Sequence, residues 1–492
     1  MELTELDKKI ADVFPDVSVN KGVSRRYGGG DRPIPDFVTD WLVCRYAQDG
    51  VVDDSRIEAF LARHLPDKKH KQSVLYELNS GMEMKILDAY SVKVDISTGR
   101  LRLEIPCLDI SDAAVDEDIV SRSPLLLHGN VWGSGTLVRA ERPDDSGKYE
   151  VRMLDFKPMQ TSIVDLDYYI AQRSQFTTDE WASLLVGSMG YSPDFYNPRQ
   201  RQLLLTRMAP LVQSRVNLIE LAPKGTGKSH VFSRLSRYAW LISGGVVTRA
   251  QLFYNMQSRT AGVITRFDAV VLDEIQTIRL GDEGEIVGAL KGYLEQGEFR
   301  VMQFKGSADA GFVLLANIPI SANGRPRDED LFRTLPSWLR GENATALIDR
   351  FHGLLPGWEL PKISQGSLHN GIGLRADYLG EVLHALRGRG EYLQWVRDNT
   401  QTNTGDNTRD VRAVERLATA YLKLFFPDLN GVTPEEFDLY CLEPARSMRA
   451  RIRKQLALMD DEYDDKLADI RSQHAELVTP ELDSLWLDTD GP

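Results

Sequence analysis

Apolar residues over the first 90 positions recur at the spacing of a helix face. They lie three or four positions apart from Leu3 to Val13 and again from Phe37 to Cys44, which predicts two amphipathic helices. Ser55 and Glu58 form a capping box ahead of a third apolar run. These patterns predict an N-terminal helical domain over residues 1–90.

From about Ser91 the apolar residues alternate with polar ones, which is the period of a half-buried strand. The segments on either side of a turn at 97–100 predict one hairpin, and the segments 136–140 and 149–153 predict another. Short strands with tight turns are typical of a small barrel, and we predict an OB-like β-barrel over residues 91–165. Small barrels bind many kinds of ligand, so this shape alone does not identify a function.

The stretch from Leu218 to Ser229 combines a short apolar strand, a glycine-bearing loop and a Lys–Ser pair at the start of a helix. This is the layout of a P-loop, in which backbone N–H groups and a helix N-terminus surround a phosphate. The first position of the pattern holds Ala222 in place of glycine, but the core from Gly225 onward is intact. We expect Lys228 to contact the β- and γ-phosphates and the Ser229 hydroxyl to bind Mg²⁺. The residues assigned to ATP are Pro223, Lys224, Gly225, Thr226, Gly227, Lys228 and Ser229.

A second apolar run, Ala269–Leu272, predicts a buried parallel strand that ends in Asp273 and Glu274. We expect Asp273 to complete the Mg²⁺ site and Glu274 to polarise the water that attacks the γ-phosphate. An Asp–Glu pair on its own is also a common helix cap. That alternative does not account for the place of this pair, directly after an apolar strand and downstream of a P-loop.

Two further residues follow in an order that suits a nucleotide hydrolase. Asn317 ends a third apolar run, where it is placed to orient the lytic water, although Asn at a strand end is also an ordinary turn residue. Arg350 has the place of an arginine finger, which stabilises charge on the transferred phosphoryl group and in ring ATPases comes from the neighbouring subunit. Arg333 and Arg340 are nearby alternatives for this task. The predicted catalytic residues are Lys228, Glu274, Asn317 and Arg350.

The order of these motifs resembles that of AAA+ ATPases, and Val411–Arg416 is similar to the lid motif of Lon ATPases. Over most of its length the chain resembles the Lon-related BrxL family of bacterial BREX phage-defence systems. The segments that carry this resemblance are Leu3–Phe14, Val131–Met159, Gly227–Ser236 and Val270–Gly297. The implied fold is multidomain α/β, with an AAA+ core containing a parallel sheet over residues 166–358 and a helical lid with a C-terminal helix over 359–478. The resemblance also implies that Arg412 of the lid contacts ATP.

Such proteins are similar to MCM helicases, with an N-terminal DNA-binding part and a hexameric ring. The resemblance therefore implies a homo-hexamer, as one ring or a pair of rings, that uses ATP and Mg²⁺ to encircle double-stranded DNA alongside other BREX proteins. Many relatives also carry a C-terminal Lon-like protease domain with a Ser–Lys dyad. This sequence ends at Pro492, shortly after the lid, so we expect no peptidase activity from it.

A negative net charge argues against nucleic acid as a partner, but the distribution of charge along this chain weakens that argument. The formal net charge is −13, but residues 460–492 hold eleven Asp or Glu and two Lys or Arg, a net of −9, which leaves −4 for the rest. We predict an exposed helix from about Pro444 to Leu477, followed by an acidic tail over 479–492. Such a tail keeps a protein soluble or competes with polyanions for a basic surface.

Basic residues cluster in the helical domain and recur before Asn317. Contact with the phosphate backbone of DNA is one interpretation, and a solvated surface or a plain sheet hairpin is the other. The candidate DNA contacts are Lys21, Arg25, Arg26, Lys68, Lys69, Lys71 and, where a pore-facing hairpin can be inserted, Arg300 and Lys305. The barrel arginines can contact phosphates or pair with acidic neighbours, and they are Arg100, Arg102, Arg139, Arg142 and Arg152.

The expected cellular compartment follows from the lack of a disulfide framework, a membrane span and a signal peptide in the sequence. The three cysteines lie far apart and form neither a zinc pattern nor a disulfide framework. No apolar run approaches the about 20 residues of a membrane span, and the first residues do not form a signal peptide. We therefore expect a cytoplasmic protein that makes no contact with a membrane.

The leading hypothesis is an ATP-driven motor on DNA, but three other functions use the same P-loop. A protein unfoldase grips peptide with an aromatic pore residue, for which Tyr293 and Phe304 are candidates. A nucleotide-gated DNA-binding scaffold would bind ATP with little turnover. A metabolic P-loop kinase would have a small-molecule pocket and would need no arginine from a neighbouring subunit.

Overall fold

The computed structural model describes residues 3–28, 34–48, 51–95, 99–127, 129, 131–142, 148–159, 164–257 and 259–473. The predicted acidic tail over 479–492 lies outside these residues. Within them, the predicted mixed α/β fold with a parallel sheet and many helices is confirmed. None of the described helices is both long and apolar enough to cross a membrane.

The N-terminal helical unit begins with a capped helix. The Thr4 hydroxyl accepts a hydrogen bond from the N–H of Asp7, and the Asp7 carboxylate accepts one from the N–H of Thr4, which satisfies two donors at the helix start. The elements of this unit are α1 (Glu5–Val13), β1 (Ser18–Asn20), α2 (Lys21–Arg25), α3 (Asp36–Tyr46), β2 (Ala47–Gln48), β3 (Val51–Val52), α4 (Asp54–His64) and α5 (Lys71–Asn79).

This N-terminal unit shares its core with residues that follow the barrel. Strand β1 pairs antiparallel with Ile372–Leu374, and Phe14 of the unit packs in the same apolar cluster as Trp181 and Leu204. The predicted boundary at residue 90 therefore does not separate two independent cores, because residues before it and residues after the barrel belong to the same apolar cluster.

The next strands close into a barrel around an apolar interior that includes the fully buried Leu103, Leu137 and Met153. The barrel begins at Met84, earlier than the predicted start at residue 91, and its OB-like character stays a prediction. The elements in order are β4 (Met84–Asp95), β5 (Arg100–Ile105), β6 (Ile110–Val115), α6 (Glu117–Arg122), β7 (Val131–Glu141) and β8 (Tyr149–Pro158).

Helices then lead to the central part of the chain. They are α7 (Leu166–Gln172), α8 (Thr178–Ser188), α9 (Pro198–Thr206) and α10 (Ala209–Val212). The central elements are β9 (Leu218–Ala222), α11 (Lys228–Arg234), β10 (Ala239–Val247), α12 (Arg249–Leu252), β11 (Tyr254–Asn255), β12 (Thr260–Ala261), β13 (Ala269–Leu280), α13 (Glu283–Gln296), β14 (Glu298–Val301), β15 (Phe304–Ser307), β16 (Gly311–Asn317), α14 (Glu342–Ile348) and β17 (Gly353–Pro356).

A parallel sheet with the strand order β10–β13–β16–β9–β17 forms the centre of this part. Every residue of β9 is buried, as is typical of a parallel sheet covered on both faces. The chain leaves β9 for the far edge, returns strand by strand, and then adds β17 on the other side of β9. Ligands of such sheets bind beyond the carboxyl ends of the strands at the point where the strand order reverses, which is the end of β9.

The C-terminal part is mostly helical. Its elements are β18 (Ile372–Leu374), α15 (Ala376–Arg387), α16 (Glu391–Asn399), β19 (Thr400–Gln401), α17 (Thr408–Phe425), α18 (Pro434–Phe437), α19 (Glu443–Met459) and β20 (Arg471–Ser472). The predicted helix from about Pro444 is present, but its predicted exposure and its extension beyond Met459 are wrong over the described residues, which end at 473. Helix α19 ends at Met459, and it is largely buried because Ile452 and Leu456 pack in the apolar cluster of the central sheet.

Candidate active site

The loop after β9 depends on its two glycines. Gly225 and Gly227 have φ angles of 88° and 73°, a left-handed conformation that costs other residues about 1–2 kcal/mol. A Cβ at Gly227 would also lie 2.7 Å from the hydroxyl oxygen of Tyr191. By contrast, Ala222 is the fully buried last residue of β9. The departure from the P-loop pattern thus falls on a strand residue and not on a turn of the loop.

Four predicted site residues meet at the carboxyl edge of the sheet. The Ser229 hydroxyl donates a hydrogen bond to Asp273 Oδ2 at 2.7 Å, and the Lys228 ammonium donates one to Asn317 Oδ1 at 2.5 Å. They meet because the neighbouring parallel strands and the P-loop helix present their ends at the same edge. Hydroxyl and carboxylate oxygens are ligands that Mg²⁺ accepts beside phosphate oxygens and water. Ser229 and Asp273 therefore fit a Mg²⁺ site.

Lys228 is buried among charged groups. Burial lowers the pKa of its ammonium, while the carboxylates of Glu220, Asp273 and Glu274 act in the opposite direction. A partly desolvated ammonium interacts more strongly with an anion than an ammonium in water does. The position of Lys228 therefore suits a phosphate ligand.

Glu274 has a strained backbone. Its φ angle is 51°, which lies in the left-handed region that only glycine adopts readily. Its N–H donates to Asp273 Oδ1 at 2.9 Å, and its C=O accepts from the Thr277 hydroxyl at 2.9 Å, so local contacts hold this conformation. Its side chain is exposed. Such strained residues cluster at active sites, and the geometry is therefore compatible with a role in the reaction.

Sequence reasoning missed a buried ion pair beneath the P-loop. Arg207 and Glu220 are 1% and 2% exposed, and their charged groups approach to 2.6 Å. The same guanidinium donates to the C=O of Thr226 at 3.3 Å. Glu220 interrupts an otherwise apolar buried strand, and this lone carboxylate could have indicated a cationic partner, since buried charges are paired.

Two more contacts that the sequence did not predict hold the loop. The Tyr191 hydroxyl donates to the C=O of Gly227 at 3.1 Å, and the N–H of Ile363 donates to the C=O of Gly225 at 2.8 Å. Both contacts join segments that are far apart along the chain, so no local sequence signal indicates them.

Arg350 and Arg412 lie in different surroundings from the residues around Gly227. They line one cavity together with Glu295, Asp349 and Arg409, whereas other residues surround the cavity at Gly227. Within one chain, Arg412 therefore shares the surroundings of the predicted arginine finger and not those of the P-loop.

A network of ion pairs fixes the segment that carries Arg350. Arg449 is fully buried and contacts Asp349 at 2.6 Å, and it also donates to the C=O of Phe351 at 2.7 Å. Arg350 lies 3.1 Å from Glu295. Positive charge is concentrated beside it, and the pKa of Arg416 is lowered to about 10 by burial and by repulsion from neighbouring arginines, which include Arg412.

The candidate DNA contacts of the N-terminal unit have different surroundings. The prediction for Lys21 is wrong, because this residue is 5% exposed and its ammonium lies 2.7 Å from Asp40. Arg25 is also tied inward, since it donates to Asn370 Oδ1 at 3.1 Å and to the C=O of His369.

The other candidates of this unit lie at the surface. Arg26 is exposed 3.5 Å from Asp54, Lys71 lies 2.7 Å from Asp109, and Lys69 is exposed. The side chain of Lys68 lies outside the described residues. Four of the barrel arginines pair with carboxylates, and they are Arg100, Arg102, Arg142 and Arg152. The fifth, Arg139, lies over the ring of Tyr149 and donates a hydrogen bond to the C=O of Asn79.

The predicted pore segment is a hairpin of β14 and β15. Arg300 pairs in register with Lys305, and Arg300 is exposed while Lys305 contacts Glu298 at 2.8 Å. The aromatic candidates of the unfoldase alternative pack inward. Tyr293 is 1% exposed and donates to the C=O of Ala310, and Phe304 stacks on Tyr254.

Comparisons with known proteins give consistent matches. Residues 151–469 match the family model described as Lon-like protease BrxL-like, ATPase domain, and residues 12–139 match the model of the BREX system Lon protease-like protein BrxL N-terminal part. A protein named Lon-like protease BrxL from Escherichia coli O9:H4 (strain HS) is 31% identical over 460 residues, which cover 92% of this chain and 65% of the relative. One of the same name from Bacillus cereus (strain H3081.97) is 29% identical over 465 residues, which cover 92% and 67%. The chain thus spans about two thirds of the length of these relatives.

Proposed function

Because the chain belongs to the BrxL family, we propose that it is an ATP-hydrolysing AAA+ ring motor that encircles double-stranded DNA in bacterial BREX anti-phage defence. The observation that carries the hydrolytic part is the convergence of Lys228, Ser229, Asp273 and Asn317 at one edge of the sheet, with Glu274 beside them. Each of the four supplies a polar group where the phosphates of a P-loop ligand would end.

Each residue has a defined task in this proposal. The P-loop backbone and Lys228 bind the phosphates, and Glu274 accepts a proton from the attacking water while Asn317 orients that water. Ser229 and Asp273 would hold Mg²⁺, which neutralises charge on the β- and γ-phosphate oxygens. Catalysis of this type consists mostly of positioning and of charge stabilisation.

The arginine cavity supports an assembly in which neighbouring subunits complete each other's sites. Arg350 and Arg412 lie together and apart from the P-loop of their own chain. A head-to-tail contact between copies would bring this positive surface to the neighbour's nucleotide, and such a contact closes into a ring when its rotation allows. We propose a homo-hexamer, as one ring or a pair of rings.

A subunit-mixing experiment tests this arrangement. Lys228→Ala and Arg350→Ala variants are each expected to lose ATP hydrolysis. When they are mixed, about a quarter of the interfaces should pair an intact Lys228 with an intact Arg350 if subunits assort at random in a heterologous ring, so activity should return in part. If the mixture stays as inactive as its components while the subunits exchange, Arg350 does not act across an interface.

Contact with DNA is tested separately. Negative-stain images of the Glu274→Gln variant with ATP and duplex DNA should contain rings threaded by the duplex. Single subunits that are indifferent to DNA would contradict the motor. If the same variant retains phage defence, hydrolysis is not the working step and a nucleotide-gated scaffold is favoured. The absence of peptidase activity stays a prediction, which a casein-degradation assay checks.

A further inference from the structure

A cavity of about 150 Å³ lies between the N-terminal helical unit and the P-loop helix α11. Helices α2 and α3 line one side, Tyr191, Ile363 and Leu368 line the other, and Gly227 also lines the cavity. Gly227 therefore belongs both to the P-loop and to this cavity. A molecule whose phosphates rest on the loop therefore has this cavity next to it.

The two sides of the cavity differ in chemistry. Tyr191 is 2% exposed and packs against Tyr196, and with Ile363 it provides an apolar surface. The opposite side carries polar groups of Ser24, Thr39 and Asp36. A cavity with apolar surfaces and a few polar groups is typical of a site for a small organic ligand. A flat heteroaromatic ring with polar edge atoms matches both sides.

His230 adds an unused polar atom to this cavity. Its Nδ1 is buried and has no hydrogen-bond partner among the described residues. Burial is the largest influence on its pKa and lowers it, so the ring is neutral near pH 7 and offers one donor and one acceptor. Because an unpaired buried polar atom is costly, a ligand that contacts Nδ1 would be favoured.

Contacts at both ends hold the N-terminal unit over the cavity. Asp36, the first residue of α3, accepts a hydrogen bond from Arg234 of α11 at 3.0 Å and lies 3.7 Å from His230 Nε2. On the other side, Asp40 of α3 accepts from the N–H of Ala376 at 2.9 Å. The P-loop helix and the start of α15 therefore both position α3.

We propose that this cavity binds the nucleoside part of the nucleotide and that α2 and α3 form one of its walls, so that nucleotide binding holds the N-terminal unit against the ATPase core. The inference rests on the proposed function, because it takes ATP as the ligand of the P-loop. In this arrangement the nucleotide contacts the same N-terminal unit that carries the exposed DNA-contact candidates Arg26 and Lys69.

The first test separates nucleoside binding from phosphate binding. Leu368→Trp places a bulky side chain at the cavity, and in the Glu274→Gln background it should weaken Mg²⁺–ATP binding about ten-fold or more, as measured by isothermal titration calorimetry. Mg²⁺–tripolyphosphate contacts only the P-loop, so its affinity should not change. Leu458→Trp, at an exposed position, is the control. Equal losses for both ligands, or no loss for ATP, would overturn the proposal.

The second test follows the N-terminal wall by hydrogen–deuterium exchange. ATP and ADP should slow the exchange of residues 36–46, whereas tripolyphosphate should not. Asp36→Arg should remove this protection, and the swapped pair Asp36→Arg with Arg234→Asp should restore it. Asp118→Arg, which breaks the exposed Asp118–Arg122 pair, is the matched control. Protection by tripolyphosphate equal to that by ATP, or no protection at saturating ATP, would overturn the proposal.

Measuring ATP hydrolysis beside hydrogen–deuterium exchange distinguishes a failure of the nucleoside site from a failure of the proposed ATPase function. A wild-type protein that binds ATP and protects residues 36–46 but never hydrolyses ATP supports the nucleoside site and contradicts the motor. A protein that hydrolyses ATP with no change at residues 36–46 supports the ATPase and overturns this inference.

Discussion

The ammonium of Lys228 donates a hydrogen bond to the side-chain oxygen of Asn317 at 2.5 Å. This contact joins the first residue of the P-loop helix to the last residue of β16. The C=O of Asn317 in turn accepts a hydrogen bond from Gln276. Asn317 is therefore held between Lys228 and the strand that carries Asp273, which is where the proposed function places the γ-phosphate and its attacking water.

Replacing Asn317 with Ala should slow turnover without unfolding the site. The change removes one polar group near the reacting phosphate, and loss of one such group costs roughly 100-fold in kcat. Steady-state ATPase assays should therefore give a low kcat with a KM close to that of the wild type. Asn403→Ala, at an exposed loop position, should leave both constants unchanged. A wild-type kcat for Asn317→Ala would exclude Asn317 from the reaction.

The buried pair of Arg207 and Glu220 should stabilise the fold below the P-loop. Arg207→Leu leaves the Glu220 carboxylate buried without its partner, and such a change costs about 3–5 kcal/mol. The double variant Arg207→Met, Glu220→Leu should recover most of this loss, because two apolar residues replace the pair. Urea denaturation measures each free energy of unfolding.

An exposed ion pair supplies the control for that comparison. Lys8 and Glu5 lie 2.7 Å apart at the surface of α1, and Lys8→Leu should change the free energy of unfolding by at most about 1 kcal/mol. If Arg207→Leu is no more destabilising than Lys8→Leu, the pair beneath the P-loop does not hold the fold.

The backbone of Glu274 allows strain and chemistry to be measured separately. Both Glu274→Gly and Glu274→Gln should abolish ATP hydrolysis, because each removes the carboxylate. Only glycine relieves the positive φ, so Glu274→Gly should be more stable than Glu274→Gln by about 1 kcal/mol. Thermal unfolding of the two inactive variants checks this difference. Equal stability would mean that position 274 carries no strain.

The sequence predicts for a physical reason that Lys228, Asp273 and Asn317 lie close together, while their contact with phosphate stays a prediction. Asp273 and Asn317 end buried apolar runs and Lys228 begins the helix after the loop that follows β9, and parallel strands bring these carboxyl ends to one edge. Local patterns are therefore sufficient to place these residues together. The same reasoning applies to Ala222, which departs from the P-loop pattern but belongs to the strand and not to the turn.

Residues whose surroundings come from distant segments could not be predicted in this way. Lys21 has the sequence context of a surface cation, but docking of α2 on the core buries it against Asp40. Arg412 has the motif of a lid arginine, yet its neighbours are Arg350 and Arg409. In each case the tertiary contact decides the role, and no period or spacing along the chain encodes that contact.

Lys423 should make the stability of the fold depend on pH. It is 1% exposed in α17, and burial, followed by repulsion from Arg387, lowers its pKa to about 7, although Glu391 acts in the opposite direction. In the unfolded chain the pKa is about 10.4. Between these values the unfolded state holds a proton that the folded state has lost, so the free energy of unfolding rises with pH over this window. Below pH 7 the cost of burying the charge is fully present.

Lys423→Met removes this titration while keeping an apolar stem of similar length. We expect the variant to be more stable than the wild type by roughly 5 kcal/mol at pH 6, because burial lowers the pKa of Lys423 from about 10.4 to about 7 and each pKa unit corresponds to about 1.4 kcal/mol. The difference should shrink as the pH rises toward 10. Urea denaturation at pH 6, 8 and 9.5 measures it, with exposed Lys454→Met as the control. Parallel pH curves for Lys423→Met and the wild type would mean that Lys423 keeps its proton when buried.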